Sequence, residues 1–171
     1  MAEYISFQPS DYYKTNTYTG TGSELAITDV GFQSDSTLIK ESDGGNAWNW
    51  FDSVRGATKY LKTSGDNAEA TDAETLKSWE STGYTVGTSV AENDTGQLYA
   101  GYNWKMGTTS GLTGGTITPS GYSINTTARQ SVIAYTGTGS AATIPHGLGV
   151  APDMIIVKEL SHTTNWAVFH T

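Results

Sequence analysis

Apolar and polar residues alternate with a period of two along much of this chain. In Leu98-Tyr-Ala-Gly-Tyr-Asn-Trp-Lys105, Leu98, Ala100, Tyr102 and Trp104 share one face of a strand, while Tyr99, Gly101 and Asn103 share the other. The same reading assigns strands to residues 15–19, 24–28, 36–41, 47–52, 57–62, 75–80, 84–87, 98–105, 115–118, 122–125, 130–136, 142–144, 153–159 and 166–170. Turn signals separate them, among them Gly20-Thr-Gly22, Asp43-Gly-Gly45, Ser64-Gly-Asp66, Asn93-Asp-Thr-Gly96 and Gly114-Gly115. Residues 1–14 read as a lead-in arm in which Phe7, Tyr12 and Tyr13 can pack and Pro9 breaks any helix. Helical character is confined to 67–77, where Asp72-Ala-Glu-Thr-Leu-Lys77 suits a turn or two. Many short, evenly punctuated strands predict an all-β fold, an antiparallel β-sandwich of lectin-like jelly-roll type.

The pattern then starts again. Tyr18-Thr-Gly-Thr-Gly-Ser23 recurs letter for letter as Tyr135-Thr-Gly-Thr-Gly-Ser140. Beyond it Ile27 falls on Ile144, Gly31 on Gly149, Asp35 on Asp153, Lys40-Glu41 on Lys158-Glu159, Trp48 on Trp166 and Phe51 on Phe169. The offset is 135 − 18 = 117 at the tyrosines and 166 − 48 = 118 at the tryptophans, so one residue has been inserted. Solenoid repeats run at about 20–50 residues, whereas this period is that of a small domain. The expected organisation is an arm at 1–14, a sandwich unit at 15–134 and the truncated start of a second unit at 135–171. In the second unit, Asp153-Met-Ile-Ile-Val-Lys158 is apolar on both faces and calls for cover on both sides. Its counterpart Ser36-Thr-Leu-Ile-Lys40 is more polar and is expected to pack less deeply. So short a fragment cannot enclose a core. It is either a truncation, or a set of strands that pair with a free edge of the first unit or with a neighbouring subunit.

Composition narrows the function. Hydrophobic residues make up 36% and charged residues 15%, with ten Tyr and five Trp; so many aromatics at so low a charge density is the opposite of a disordered chain. A net charge of −8, with nine scattered Lys and Arg, argues against nucleic acid. There is no cysteine, which rules out disulfides, thiol nucleophiles and Cys-ligated metal centres. No apolar run approaches the ~20 residues that span a bilayer as a helix, so no membrane insertion is expected.

The stretches Tyr18-Thr-Gly-Thr-Gly22, Val30-Gly-Phe-Gln33 with Asp35, Phe51-Asp-Ser-Val-Arg-Gly56, Tyr84-Thr-Val-Gly87, Asn103-Trp-Lys105, His146-Gly-Leu-Gly149, Pro152-Asp-Met-Ile-Ile-Val-Lys158 and Asn165-Trp166 together resemble a family of tandem-repeat proteins of marine bacteriophages. Those proteins are described as tail-fibre or virion structural proteins with a lectin domain of the concanavalin A/laminin G type. The resemblance runs from about Thr17 to the end, with two departures: Ser34 stands where a proline is usual, and Leu38 where a tryptophan is usual. It implies a virion location, other virion proteins as partners and a homo-oligomer. It names no catalytic residue.

Candidate chemistry centres on rings. Trp48 and Trp50 lie two apart on one strand with Phe51 opposite, and Tyr102 and Trp104 repeat the arrangement. Such rows either fill a core or form a platform on which sugar rings stack. Trp79 and Tyr84 are further candidates for a surface site. Arg55, in Asp52-Ser-Val-Arg-Gly56, is expected to pair with a carboxylate and pin a loop. His146, His162 and His170 are too widely spaced for a local metal site, and the first unit has no histidine for acid–base work. Glu74 and Glu80, flanking Trp79, are the nearest approach to a glycosidase carboxylate pair, without the alternating triplet that sandwich glucanases carry. No cofactor is expected. Calcium is the alternative, with Asp43-Gly-Gly-Asn46, Asp66-Asn-Ala-Glu69 with Asp72, and Glu92-Asn-Asp94 as oxygen sources. The expectation is a non-catalytic virion appendage module that contacts host-surface glycan. A purely structural spacer and a polysaccharide-degrading tail protein stand as alternatives.

Overall fold

Thirteen short strands, every pair antiparallel, make up the computed structural model, which describes residues 8–171. They are β1 (Tyr13–Thr19), β2 (Leu25–Ile27), β3 (Ser36–Glu41), β4 (Asn49–Asp52), β5 (Lys59–Lys62), β6 (Ala70–Thr71), β7 (Leu76–Glu80), β8 (Gly83–Val86), β9 (Leu98–Trp104), β10 (Gly121–Asn125), β11 (Gln130–Ala134), β12 (Met154–Val157) and β13 (Ala167–His170). A six-stranded sheet in the order β1-β9-β3-β4-β5-β6 packs over a three-stranded sheet, β2-β8-β7. Ile39, Phe51 and Tyr99 from the first sheet meet Ile27, Leu76, Tyr84 and Val86 from the second, closed by Val30 and Phe32. The fold is an antiparallel β-sandwich.

Alternation explains the layers. Along β9, Tyr99, Gly101 and Asn103 are buried while their neighbours are partly or fully exposed. Gly101 sits opposite Asn16 and Ile39, and a Cβ there would come within 2.5 Å of both Asn16 Oδ1 and the Tyr84 hydroxyl, so the central strand needs a glycine where the two layers meet. The inner face also carries a polar row. Asn103 donates to Asn16 Oδ1 at 2.9 Å and accepts from Thr37 at 3.0 Å and Ser34 at 3.3 Å, so these buried groups satisfy one another.

Residues 67–77 are not helical. The Asp72 carboxylate accepts from Glu74 N at 2.8 Å and the Asp72 carbonyl accepts from the Thr75 hydroxyl at 2.7 Å, a local turn that competes with helix. β6 and β7 flank it, and the α-helical turn lies at Val90–Asn93 instead. Residues 115–118 and 142–144 are likewise not strands, although they meet: Thr116 N and Ile117 N both donate to Thr143 O, at 2.9 and 3.1 Å.

The sequence repeat is a repeat of structure. Gly22 and Gly139 both take left-handed φ, +69° and +71°. In each turn the threonine hydroxyl donates to the serine carbonyl two residues on, Thr21 to Ser23 at 2.9 Å and Thr138 to Ser140 at 3.1 Å. The β12–β13 hairpin copies β3–β4 in register: Ser36 pairs with Asp52 and Met154 with His170, where 154 − 36 and 170 − 52 are both 118. Ser53 N donates to Asp35 O at 2.8 Å, and Thr171 N to Asp153 O at 3.0 Å. β11, beginning 130 − 13 = 117 residues after β1, takes the place of β1.

Burial of the two copies reverses the expectation from hydropathy. The polar β3 lies between β9 and β4 with most of its residues buried. The apolar β12 is exposed throughout, from Met154 at 54% to Ile156 at 39%, and on β13 Phe169 is 55% exposed where its counterpart Phe51 is fully buried. Hydropathy states what cover a strand calls for; β13 stands beside β12 as β4 does beside β3, but among the described residues no strand takes the place of β9.

Candidate functional site

The outward face of the six-stranded sheet carries the rings that alternation placed there. Trp50 and Phe51 diverge as expected, Phe51 into the core and Trp50 outward, where its indole N–H donates to Ser36 Oγ at 2.7 Å. Trp50 and Trp104 approach with ring centroids 6.2 Å apart, Trp48 and Tyr102 at 5.8 Å, and Tyr13 and Trp104 at 5.5 Å. Trp166 stacks on Trp50 at 6.0 Å and 15°, while its N–H donates to Gly65 O at 2.9 Å. Four candidates, Trp48, Trp50, Tyr102 and Trp104, therefore come together, joined by Tyr13 and Trp166.

The other two do not join them. Tyr84 is completely buried between the sheets, and burial raises its hydroxyl pKa well above the usual value. It is a core residue and not a surface one. Trp79, opposite it in the β7–β8 ladder, is half-buried against the same core on the other layer.

Beside the rings runs a cleft of about 1150 Å³. It is lined by Trp50, Trp104 and Leu61, by β11, and by β12 with the segment through Glu159, Ser161 and Trp166. Arg55 fixes one end. Its Nε meets Asp52 Oδ2 at 2.5 Å, one terminal nitrogen donates to Trp50 O at 2.8 Å, and the other reaches Glu69 at 3.3 Å. The Asp52 carboxylate also accepts from Arg55 N at 2.8 Å, so the loop after β4 is pinned by a partner of each kind. Lys59 adds a second cation at 3.6 Å from Glu69.

Most of the acidic loop oxygens serve the backbone. Asp43 accepts from Leu98 N at 3.0 Å and Asp94 from Thr95 N at 2.8 Å, while Glu69 faces Arg55 and Lys59. Among the described residues no three His, Asp or Glu side chains converge as a metal site would need. Glu74 is held below the ordinary carboxylate range by hydrogen bonds from the Thr88 hydroxyl and backbone N–H and by Lys77; Glu80 accepts from Ser78 at 2.6 Å. Neither lines the cleft. His162 is exposed and bonded to Glu159 and Ser161, and His146 accepts from Leu148 N at 3.2 Å. Asn93 and Asn125, which head the two N-x-S/T motifs, are buried and hydrogen-bonded, Asn93 to Thr21 N, Ser23 O and Gly87 O. Folded chain offers neither to glycosylation.

Glu92, offered by the sequence as a calcium oxygen source, is instead a buried carboxyl in the Val90–Asn93 helical turn. It is inaccessible, accepts from Asn49 Nδ2 at 2.5 Å, and no protein donor reaches its second oxygen. Desolvation raises its pKa although Asn49, Ser89 and the charge of Lys62 pull the other way. The folded state therefore holds this proton more tightly than the unfolded state does. Its stabilising effect is complete below the unfolded value of about 4.3 and is lost as pH climbs through the raised folded value. Glu92→Gln is expected to flatten that decline and raise the melting temperature at neutral pH. Thermal unfolding from pH 4 to 8 checks this, and parallel profiles for the two proteins would refute it.

Residues 8–171 match the family model described as "Domain of unknown function (DUF7483)", and the chain belongs to that family. No curated protein and no solved structure matches the chain.

Proposed function

We propose that this chain is a non-catalytic, glycan-binding module of a phage virion appendage, one bead of a tandem array. The observation that carries the reading is the aromatic lining of the cleft, where Trp50 stacks on Trp166 and meets Trp104 at a tilt. Sugar C–H faces stack on such rings, and the wall beside them supplies hydroxyls, carbonyls and the charges of Lys158 and Glu159 for sugar hydroxyls. Single sites of this kind are weak, and repetition along one polypeptide raises avidity through effective concentration. The phage assignment is supported by the motifs shared with the tandem-repeat virion proteins and by the recurrence of one hairpin in one register.

A glycan array followed by titration tests it. Trp104→Ala and Trp50→Ala are each expected to weaken binding about tenfold with the fold intact, whereas Trp79→Ala, on the other layer, leaves affinity unchanged. A blank array over folded protein favours the spacer role instead. Release of reducing sugar from envelope polysaccharide would make the protein a degrading enzyme.

A further inference from the structure

We propose that Glu92 and Asn49 form a reciprocal acid–amide pair closed by one shared proton, and that loss of this proton unlatches the Val90–Asn93 turn from the sheet. One bond of the pair is explicit: Asn49 Nδ2 donates to Glu92 Oε1. What remains is one atom on each partner. Asn49 Oδ1 and Glu92 Oε2 are both sealed from solvent and neither meets a donor. Two acceptors cannot satisfy each other, and a buried polar atom left unpaired costs free energy. A proton on Glu92 Oε2, donated to Asn49 Oδ1, satisfies both at once and leaves both groups neutral.

The surroundings hold phenols and charges of both signs. Tyr18 on β1, Tyr60 on β5 and Tyr99 on β9 face the carboxyl, and burial holds each hydroxyl above its ordinary value, so these groups stay neutral across the range in which a carboxyl titrates. Tyr84 on β8 lies beside Tyr18, and Glu41 on β3 and Asp94 after the turn lie beside Tyr99. Asp72 opposes ionisation of Glu92, and Lys62 on β5 favours it. The turn itself holds one end of the sandwich. The Glu92 carbonyl accepts from the Tyr18 hydroxyl and the Val90 carbonyl from the Tyr99 hydroxyl, both at 2.7 Å. Asn93 accepts from Thr21 N through its side chain at 2.8 Å and from Gly22 N through its carbonyl at 2.9 Å. An ionised Glu92 would be a buried charge facing an unpaired amide oxygen. Swinging the turn out to water relieves both and frees Thr21 and Gly22. The inference is independent of the glycan reading, and its test contains no sugar.

Amide exchange reads the latch. Thr138 and Gly139 repeat Thr21 and Gly22 within the same six-residue sequence but lie exposed, so the ratio of the two exchange rates gives protection at each pH. Above the unfolded carboxyl value of about 4.3, each opening releases one proton. Protection at Thr21 and Gly22 is therefore expected to fall about tenfold per pH unit, levelling off above the raised folded value of Glu92. Glu92→Gln, whose amide supplies both bonds of the pair, is expected to remove this slope and keep the protection seen at pH 5. Infrared spectra of the unaltered chain give a second reading. At pH 6, where exposed carboxyls are ionised, one carboxyl equivalent is expected to show the stretch of a protonated acid, and Asn49→Leu to move it to higher frequency. A fully ionised spectrum at pH 6 overturns the proposal and would put a water in the place of the proton. Protection without a slope overturns it too, as does an acid band that Asn49→Leu leaves unmoved.

Discussion

Arg55→Met is expected to cost about 3–5 kcal/mol of folding stability. The guanidinium is 6% exposed, and the Asp52 and Glu69 side chains that face it are 8% and 15% exposed. Removing the cation leaves two largely buried carboxylates without their main partner, and the Trp50 carbonyl loses a charged donor. Compensation by water is limited at that depth, so the loss is far larger than the ~0–1 kcal/mol typical of exposed pairs. Lys59→Ala, at a cation 45% exposed, is the matched control and is expected to stay within about 0.5 kcal/mol. Urea unfolding measures both. A shift in midpoint at constant slope would place the effect in the native state. Equal midpoints for the two variants would show that Arg55 does not hold the loop.

Aspartate at the two equivalent repeat positions should behave very differently. Asp35 accepts from Met106 N at 2.8 Å, from Ser53 Oγ at 2.8 Å and from Ser123 Oγ at 2.9 Å, joining the end of β9, the loop after β4 and β10. Asp35→Ala strands one buried and two partly buried donors, and about 3 kcal/mol is expected from charge-assisted bonds lost together. Asp153 begins the same hairpin with the same backbone bond to the residue after its partner strand, but it is exposed. Asp153→Ala is expected to change stability by less than about 0.5 kcal/mol. A large effect at both positions would mean that the second copy is more fully supported than its exposed strands indicate.

Period-two patterning read the layers well wherever one strand's two faces differ. It separated Trp50 from Phe51 and set Tyr99, Gly101 and Asn103 against Tyr102 and Trp104, as burial along β9 shows. It could have placed Tyr84 too, because Tyr84 and Val86 alternate on one short strand and both are buried. The contacts of Trp166 with Trp50 and of Tyr13 with Trp104 had no local signal, since each depends on chain packing far away in sequence. The depth of β3 was misread for a related reason. Thr37 and Ser34 are buried cheaply because Asn103, more than sixty residues on, accepts their hydrogen bonds. Long-range hydrogen bonding and missing neighbours are invisible to a hydropathy window. Repetition was legible because it is written in residue identities, and it carried the hairpin register correctly.

The position of β9 has a kinetic consequence. It is the last strand of the two-layer core in chain order, yet it sits between β1 and β3. Pairing β1 with it closes a loop of dozens of residues, and such distant pairing slows folding relative to local hairpins. During synthesis β1 and the β3–β4 hairpin emerge well before the strand that unites them. Until β9 arrives, β1 and β3 have no strand between them, and the future core stays open to chaperones or to aggregation.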